Sequence, residues 1–218
     1  MNRLALFDCD GTLIDSQSNI CLAMEQAFVL SRLAAPPRAS VRRIVGLSLV
    51  EAVAKLLPEG NRALHAHIAA DYKRAFQGMR AKGLVDEPLF DGIAELLEQL
   101  LDDGWLLGVA TGKSDQGLAH VLENHKLSGH FITLQTADRH PSKPHPSMVQ
   151  AAMKDAQCEP ETTVVIGDTS YDIAMALNAG VRAVGVAWGY HPPLELTRAG
   201  AHAIAATPAD VMPMLEVA

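Results

Sequence analysis

Cysteine is scarce in this chain, with only Cys9, Cys21 and Cys158 in 218 residues. An odd, sparse set of thiols argues against a disulfide framework and predicts a reducing, cytoplasmic setting. No run of about 18 uncharged apolar residues occurs anywhere, so no membrane-spanning helix is expected. The N-terminus has a single Arg and a four-residue apolar run ahead of Asp8, too little for a secretory leader. Basic runs are missing too: Arg42-Arg43 and Lys73-Arg74 are isolated pairs, and a net charge of −7 gives no footprint for nucleic acid. What the chain does have is 49% hydrophobic residues, enough to bury one sizeable core and a small second unit.

The organising stretch is Asp8-Cys9-Asp10-Gly11-Thr12-Leu13-Ile14-Asp15-Ser16. It follows Leu4-Ala5-Leu6-Phe7, a continuous apolar run of the kind shown by a strand buried on both faces. Residues two apart on a strand share a side, and Gly11 lets the backbone turn sharply, so Asp8 and Asp10 can converge. Carboxylates that close repel one another unless a cation sits between them. A hard divalent ion with oxygen ligands, Mg²⁺, fits best.

From residue 17 to 87 the periodicity is helical. Ile20, Ala23, Met24, Ala27, Phe28 and Leu30 trace a stripe, Pro36-Pro37 breaks it, and a short helix around Val41 to Val45 follows. Ser48 with Glu51 reads as a capping box, and a longer helix carries Leu64, Ile68, Tyr72 and Phe76. From Pro88 onward strands and helices alternate, the pattern of a parallel sheet covered on both faces. Strands are expected at Trp105–Ala110, Phe131–Leu134, Thr163–Ile166 and Ala183–Ala187. The predicted fold is thus α/β, a Rossmann-like three-layer core with a parallel sheet (residues 1–16 and 88–218), plus a small all-helical cap inserted after the first strand (residues 17–87). Asp8, Thr111 and Asp168 each follow a strand's last apolar residues. They therefore share the rim where ligands bind in open sheets.

The nine residues D-x-D-G-T-L-x-D-S resemble the first motif of the haloacid dehalogenase-like hydrolases, phosphatases that use an aspartate nucleophile. The resemblance implies four motifs, and they occur in order: Asp8-x-Asp10, Thr111, Lys143, and Gly167-Asp168 with Asp172. The insertion point is similar to that of the alpha-helical cap subclass. Gly167-Asp168-Thr169-x-x-Asp172 resembles the corresponding stretch in phosphoglycolate phosphatase-like members. Cys9 departs from the apolar residue expected there, and its side chain should point away from the site.

Cleavage of a phosphate monoester needs on the order of 20 kcal/mol of barrier reduction, mostly from positioning and from charge facing the phosphoryl group. Asp8 is the expected nucleophile and Asp10 the acid and base, with Thr111, Gly112 and Lys143 binding phosphate oxygens. The expected metal ligands are Asp8, Asp10 and Asp168, with Asp172 orienting Lys143 or a metal-bound water. Four carboxylates against one lysine leave about −3, a charge that a dry cleft does not tolerate without a cation.

The expected activity is Mg²⁺-dependent hydrolysis of a small-molecule phosphate monoester resembling 2-phosphoglycolate, through an aspartyl-phosphate. Two alternatives stay open: a sugar-phosphate mutase of the same superfamily, and a phospho-aspartate signalling module that does not turn over. Haloacid dehalogenation is disfavoured, because Asp10 and a metal site serve no purpose in it. Gly112-Lys113-Ser114 is set aside as a phosphate-cradling loop, since that pattern needs Gly at 107 and the chain has Leu107. His120, His125 and His130 recur every five residues and share no helix face. His65, His67, His140 and His145 are expected at the surface or behind the site. Substrate choice should lie in the inserted helices, with Arg42, Arg43, Ser48 and Lys55 as polar candidates. The chain leaves leaving group and oligomeric state unspecified.

Overall fold

The computed structural model describes residues 2–215. Six strands, β1 (Leu4–Phe7), β2 (Leu106–Thr111), β3 (Phe131–Thr136), β4 (Thr163–Gly167), β5 (Arg182–Val186) and β6 (Ala203–Ala205), form one sheet in the order β3-β2-β1-β4-β5-β6. Every neighbouring pair is parallel. β1 sits at the centre, and its period-2 pattern makes the layers: Ala5 and Phe7 join one core, Leu4 and Leu6 the other.

The first of these cores is closed by α5 (Ile93–Asp102), α6 (Asp115–Asn124) and α10 (Val211–Leu215), through residues such as Leu97, Leu118 and Val211. The second is closed by α7 (Ser147–Ala156), α8 (Ser170–Asn178) and α9 (Pro193–Arg198), through Val149, Ile173 and Leu196. This is the three-layer α/β arrangement expected from the alternation of strands and helices.

Between β1 and α5 the chain forms α1 (Gln17–Leu30), α2 (Arg38–Arg42), α3 (Leu49–Leu56) and α4 (Arg62–Ala81), with no strand in the span. Met24, Phe28, Val53, Ile68 and Phe76 bury one another in a third apolar cluster. The two chain segments leading to these helices are tied together. Asp15 donates its N–H to Pro88 O at 2.8 Å, Phe90 donates to Leu13 O at 3.0 Å, and Ile14 bridges Leu89 antiparallel.

Three local features differ from expectation. The Ser48 side chain makes no capping bond to α3; its backbone N–H instead donates to Ser142 Oγ at 2.8 Å, tying α3 to the rim. His65 is buried rather than at the surface, its Nε2 2.9 Å from Leu57 O. β6 and α9 carry no signal in the alanine-rich and proline-rich C-terminal sequence. No helix among the described residues is long and apolar enough to cross a membrane.

Candidate active site

The three central strands end level with one another: Phe7 pairs with Val109 on β2 and with Ile166 on β4. Asp8, Thr111 and Asp168 therefore emerge on one rim. Asp8 donates its N–H to Ile166 O at 2.9 Å, which fixes the first carboxylate beside β4. Gly11 then turns the chain with φ +93°, and a Cβ there would lie 2.8 Å from Asp168 Oδ1. Only glycine leaves room for that carboxylate.

Asp168 is fully buried. Its Oδ1 accepts from Thr12 Oγ1 at 3.0 Å and its Oδ2 from the Tyr190 N–H at 2.8 Å. Asp172 closes a capping box at the start of α8, with Oδ2 accepting from the Thr169 N–H at 3.0 Å and from Thr169 Oγ1 at 2.7 Å. Its Oδ1 accepts from Lys143 Nζ at 2.6 Å, and the same ammonium donates to Asp8 Oδ1 at 2.8 Å. Asp8 Oδ2 is buried with no hydrogen-bond partner among the described residues. Oxygens of Asp8, Asp168 and Asp172 lie within 4.8 Å of one another.

These three carboxylates share a dry pocket, so their charges are costly. Burial pushes the Asp8 carboxyl up to about 7, with Lys143 holding it lower than it would otherwise go. Burial, then Asp172 and Asp8, push Asp168 well above the usual carboxylate range. Lys143 is driven down by burial but raised on balance by Asp172 and Asp8. A hard divalent cation suits this donor set: it would occupy the orphaned Asp8 Oδ2 and relieve the repulsion.

Of the expected ligands Asp8, Asp10 and Asp168, the carboxylates of Asp8 and Asp168 lie together. The Asp10 carboxylate lies outside the three-carboxylate group, because the Lys113 ammonium, 2.7 Å from Oδ1, and the Ser16 hydroxyl hold it. Asp172 is the third carboxylate of that group, and it is bonded to Lys143. Thr111 is buried at the end of β2, with Oγ1 accepting from the Lys113 N–H at 3.1 Å. Cys9 packs beside Phe7 in the core, and burial pushes its thiol up.

A cavity of about 680 Å³ lies between the rim and α1 to α4, bordered by Asp10, Gly112, Lys113, Ser48, Met24 and Phe76. Of the polar candidates in the inserted helices, Ser48 lines it. Arg42 instead bonds Gln17 Oε1 at 3.3 Å, Arg43 pairs with Glu195 at 2.6 Å, and Lys55 lies over the Tyr171 ring. A Cβ on Gly112 would meet Gly46 O at 2.8 Å, so the loop before α3 rests on the turn that follows β2. We expect Gly112→Ala to prise these surfaces apart, costing about 1–3 kcal/mol in urea unfolding and lowering kcat/KM.

Sequence reasoning missed Lys113, Glu87 and Tyr190. Lys113 was visible only as part of a discarded loop pattern, and Glu87 gives no local signal at all.

A parallel sheet whose rim gathers aspartates around a buried lysine makes this an α/β protein with an acidic centre. The family model for haloacid dehalogenase-like hydrolase matches residues 5–186. The chain belongs to that family. It is 34% identical to the protein named probable phosphatase IndB of Dickeya dadantii, covering 97% of this chain and 93% of that one. It is 27% identical to phosphoglycolate phosphatase of Vibrio vulnificus, covering 87% and 85%. The crystal structure of a predicted phosphatase from Clostridium acetobutylicum superposes with a TM-score of 0.88 at 28% identity, each chain covered in full. The chain is an enzyme of the phosphoric monoester hydrolase kind.

Proposed function

We propose that the protein hydrolyses a small-molecule phosphate monoester with Mg²⁺ and an aspartyl-phosphate on Asp8. The observation that carries this reading is Asp8 itself: one oxygen is held by Lys143 and the other is buried without a partner beside two more carboxylates. An oxygen in that position is ready for a metal and a phosphoryl group.

In this reading Asp8 attacks phosphorus in line, the phosphorus–oxygen bond to the alcohol breaks, and Asp10 gives that oxygen a proton. Asp10 then takes a proton from the water that hydrolyses the aspartyl-phosphate. Thr111 and the Gly112 backbone hold phosphoryl oxygens, with Lys143 supplying a compact positive charge. Asp8 and Asp168 would hold the cation, with Asp172 beside them. When bound, it supplies charge to the phosphoryl oxygens and removes the repulsion within the pocket.

The division into a core of residues 1–16 and 88–218 and a cap of 17–87 belongs to the same proposal. Ser48 borders the cavity and remains in the specificity set, whereas Arg43 is paired with Glu195 and joins α2 to α9. Relatives named phosphoglycolate phosphatase make 2-phosphoglycolate the first ester to assay. Release of free phosphate with Mg²⁺, absent after chelation, supports the proposal; no turnover of any monoester overturns it.

A pH dependence follows. Asp8 has a folded pKa raised above its unfolded value, so the penalty for its charge is absent below about 4, grows as pH rises towards 7 and is constant beyond. The cation removes that penalty. The rise in Tm on adding Mg²⁺ should therefore be larger at pH 8 than at pH 5 by differential scanning fluorimetry.

A further inference from the structure

The Lys113 ammonium lies in the wall of the cavity and is almost wholly enclosed, its side chain 10% exposed. It is 2.7 Å from Asp10 Oδ1 and 3.0 Å from Glu87 Oε1. Ser16 Oγ donates to the same Asp10 oxygen, which is thereby saturated. Asp10 Oδ2 takes no partner among the described residues and belongs to a side chain that borders the cavity. Glu87 is in turn held from α4, with Arg80 Nη2 3.4 Å from its Oε2, and its backbone carbonyl is 2.8 Å from His125 Nε2.

A continuous relay thus runs from α4 through Arg80, Glu87 and Lys113 to Asp10. Glu87 lies in the segment that returns the chain from α4 to the sheet, and Lys113 follows the turn at Thr111-Gly112 directly. Nothing else among the described residues holds both a rim carboxylate and that return segment.

We propose that Lys113 is a positioning residue. It pins Asp10 Oδ1 so that Oδ2 faces the leaving alcohol, and Glu87 anchors it from the chain segment that carries the inserted helices. This rests on the reading of Asp8 as nucleophile and Asp10 as acid and base. A proton from Asp10 matters when the leaving oxygen is a poor one, such as an alkyl alcohol, and matters little for nitrophenolate, which departs unprotonated.

The test uses Lys113→Met and Glu87→Gln in the full chain with Mg²⁺. Two rates are compared: kcat for 2-phosphoglycolate or glycerol phosphate, and the pre-steady-state burst of nitrophenol from p-nitrophenyl phosphate. For Lys113→Met the ratio of alkyl to nitrophenyl rate should fall by about 10²-fold, with KM moving far less than kcat, since general acid catalysis is worth roughly 10²–10⁴. Lys113→Arg should recover part of the loss. Glu87→Gln, which keeps size and a hydrogen bond, should lower the ratio about tenfold, and it decides the matter if Lys113→Met does not fold. Equal losses on both esters, or no loss, overturn the role of Lys113. Retained phosphate release by Asp8→Asn instead overturns the nucleophile reading on which it rests.

Discussion

Replacing Asp8 by asparagine should lower phosphate release by at least roughly 10⁴-fold while making the metal-free protein more stable at pH 8. The two effects share a cause. Asparagine keeps the shape and an acceptor for Lys143, but it cannot attack phosphorus. It also removes a carboxylate whose charge burial disfavours, with its pKa pushed up to about 7. The proposed chemistry depends on a charge that the fold itself resists. Phosphate assays paired with thermal unfolding in chelator test both halves. Retained turnover would mean that another group carries the phosphoryl transfer, and a lower Tm would mean that the pocket tolerates its charge.

Lys143→Met should be the most damaging change to the fold. The lysine side chain is wholly buried and bridges Asp8 and Asp172. Removing it leaves three carboxylates facing one another in a dry pocket. Breaking a buried pair from one side costs about 3–5 kcal/mol. At about 2–4 °C per kcal/mol for a chain of this size, Tm should fall by roughly 6–20 °C. The loss should shrink at pH 5, where Asp8 and Asp168 can take protons, and Mg²⁺ should restore part of it at pH 8. Urea unfolding at both pH values, with and without Mg²⁺, reads these differences. A uniform loss at every pH would point to packing and not charge.

Much of this arrangement is visible in the residues alone. Strands buried on both faces write themselves as unbroken apolar runs, and each of β1, β2 and β4 ends where polar side chains begin. Asp8, Thr111 and Asp168 could therefore be assigned to one rim before any coordinates. β6 is hidden because Ala203-Ile204-Ala205 is three residues long, at the sheet edge, among more alanines. The partners of Asp10 are hidden for a different reason. Lys113 is 103 residues away and Glu87 lies 26 residues before Lys113, so only folding brings them together. Ser48 shows the limit of local rules: its spacing to Glu51 fits a helix cap, yet a tertiary bond to Ser142 takes its backbone N–H.

The pinned crossing at Asp15 and Pro88 has a consequence for how such enzymes diversify. Because the chain leaves and re-enters the sheet at adjacent, hydrogen-bonded points, the excursion between them adds little strain to the scaffold that performs the chemistry. Evolution, or an engineer, can lengthen, trade or rebuild that excursion as one cassette, provided that Glu87 stays beside Lys113.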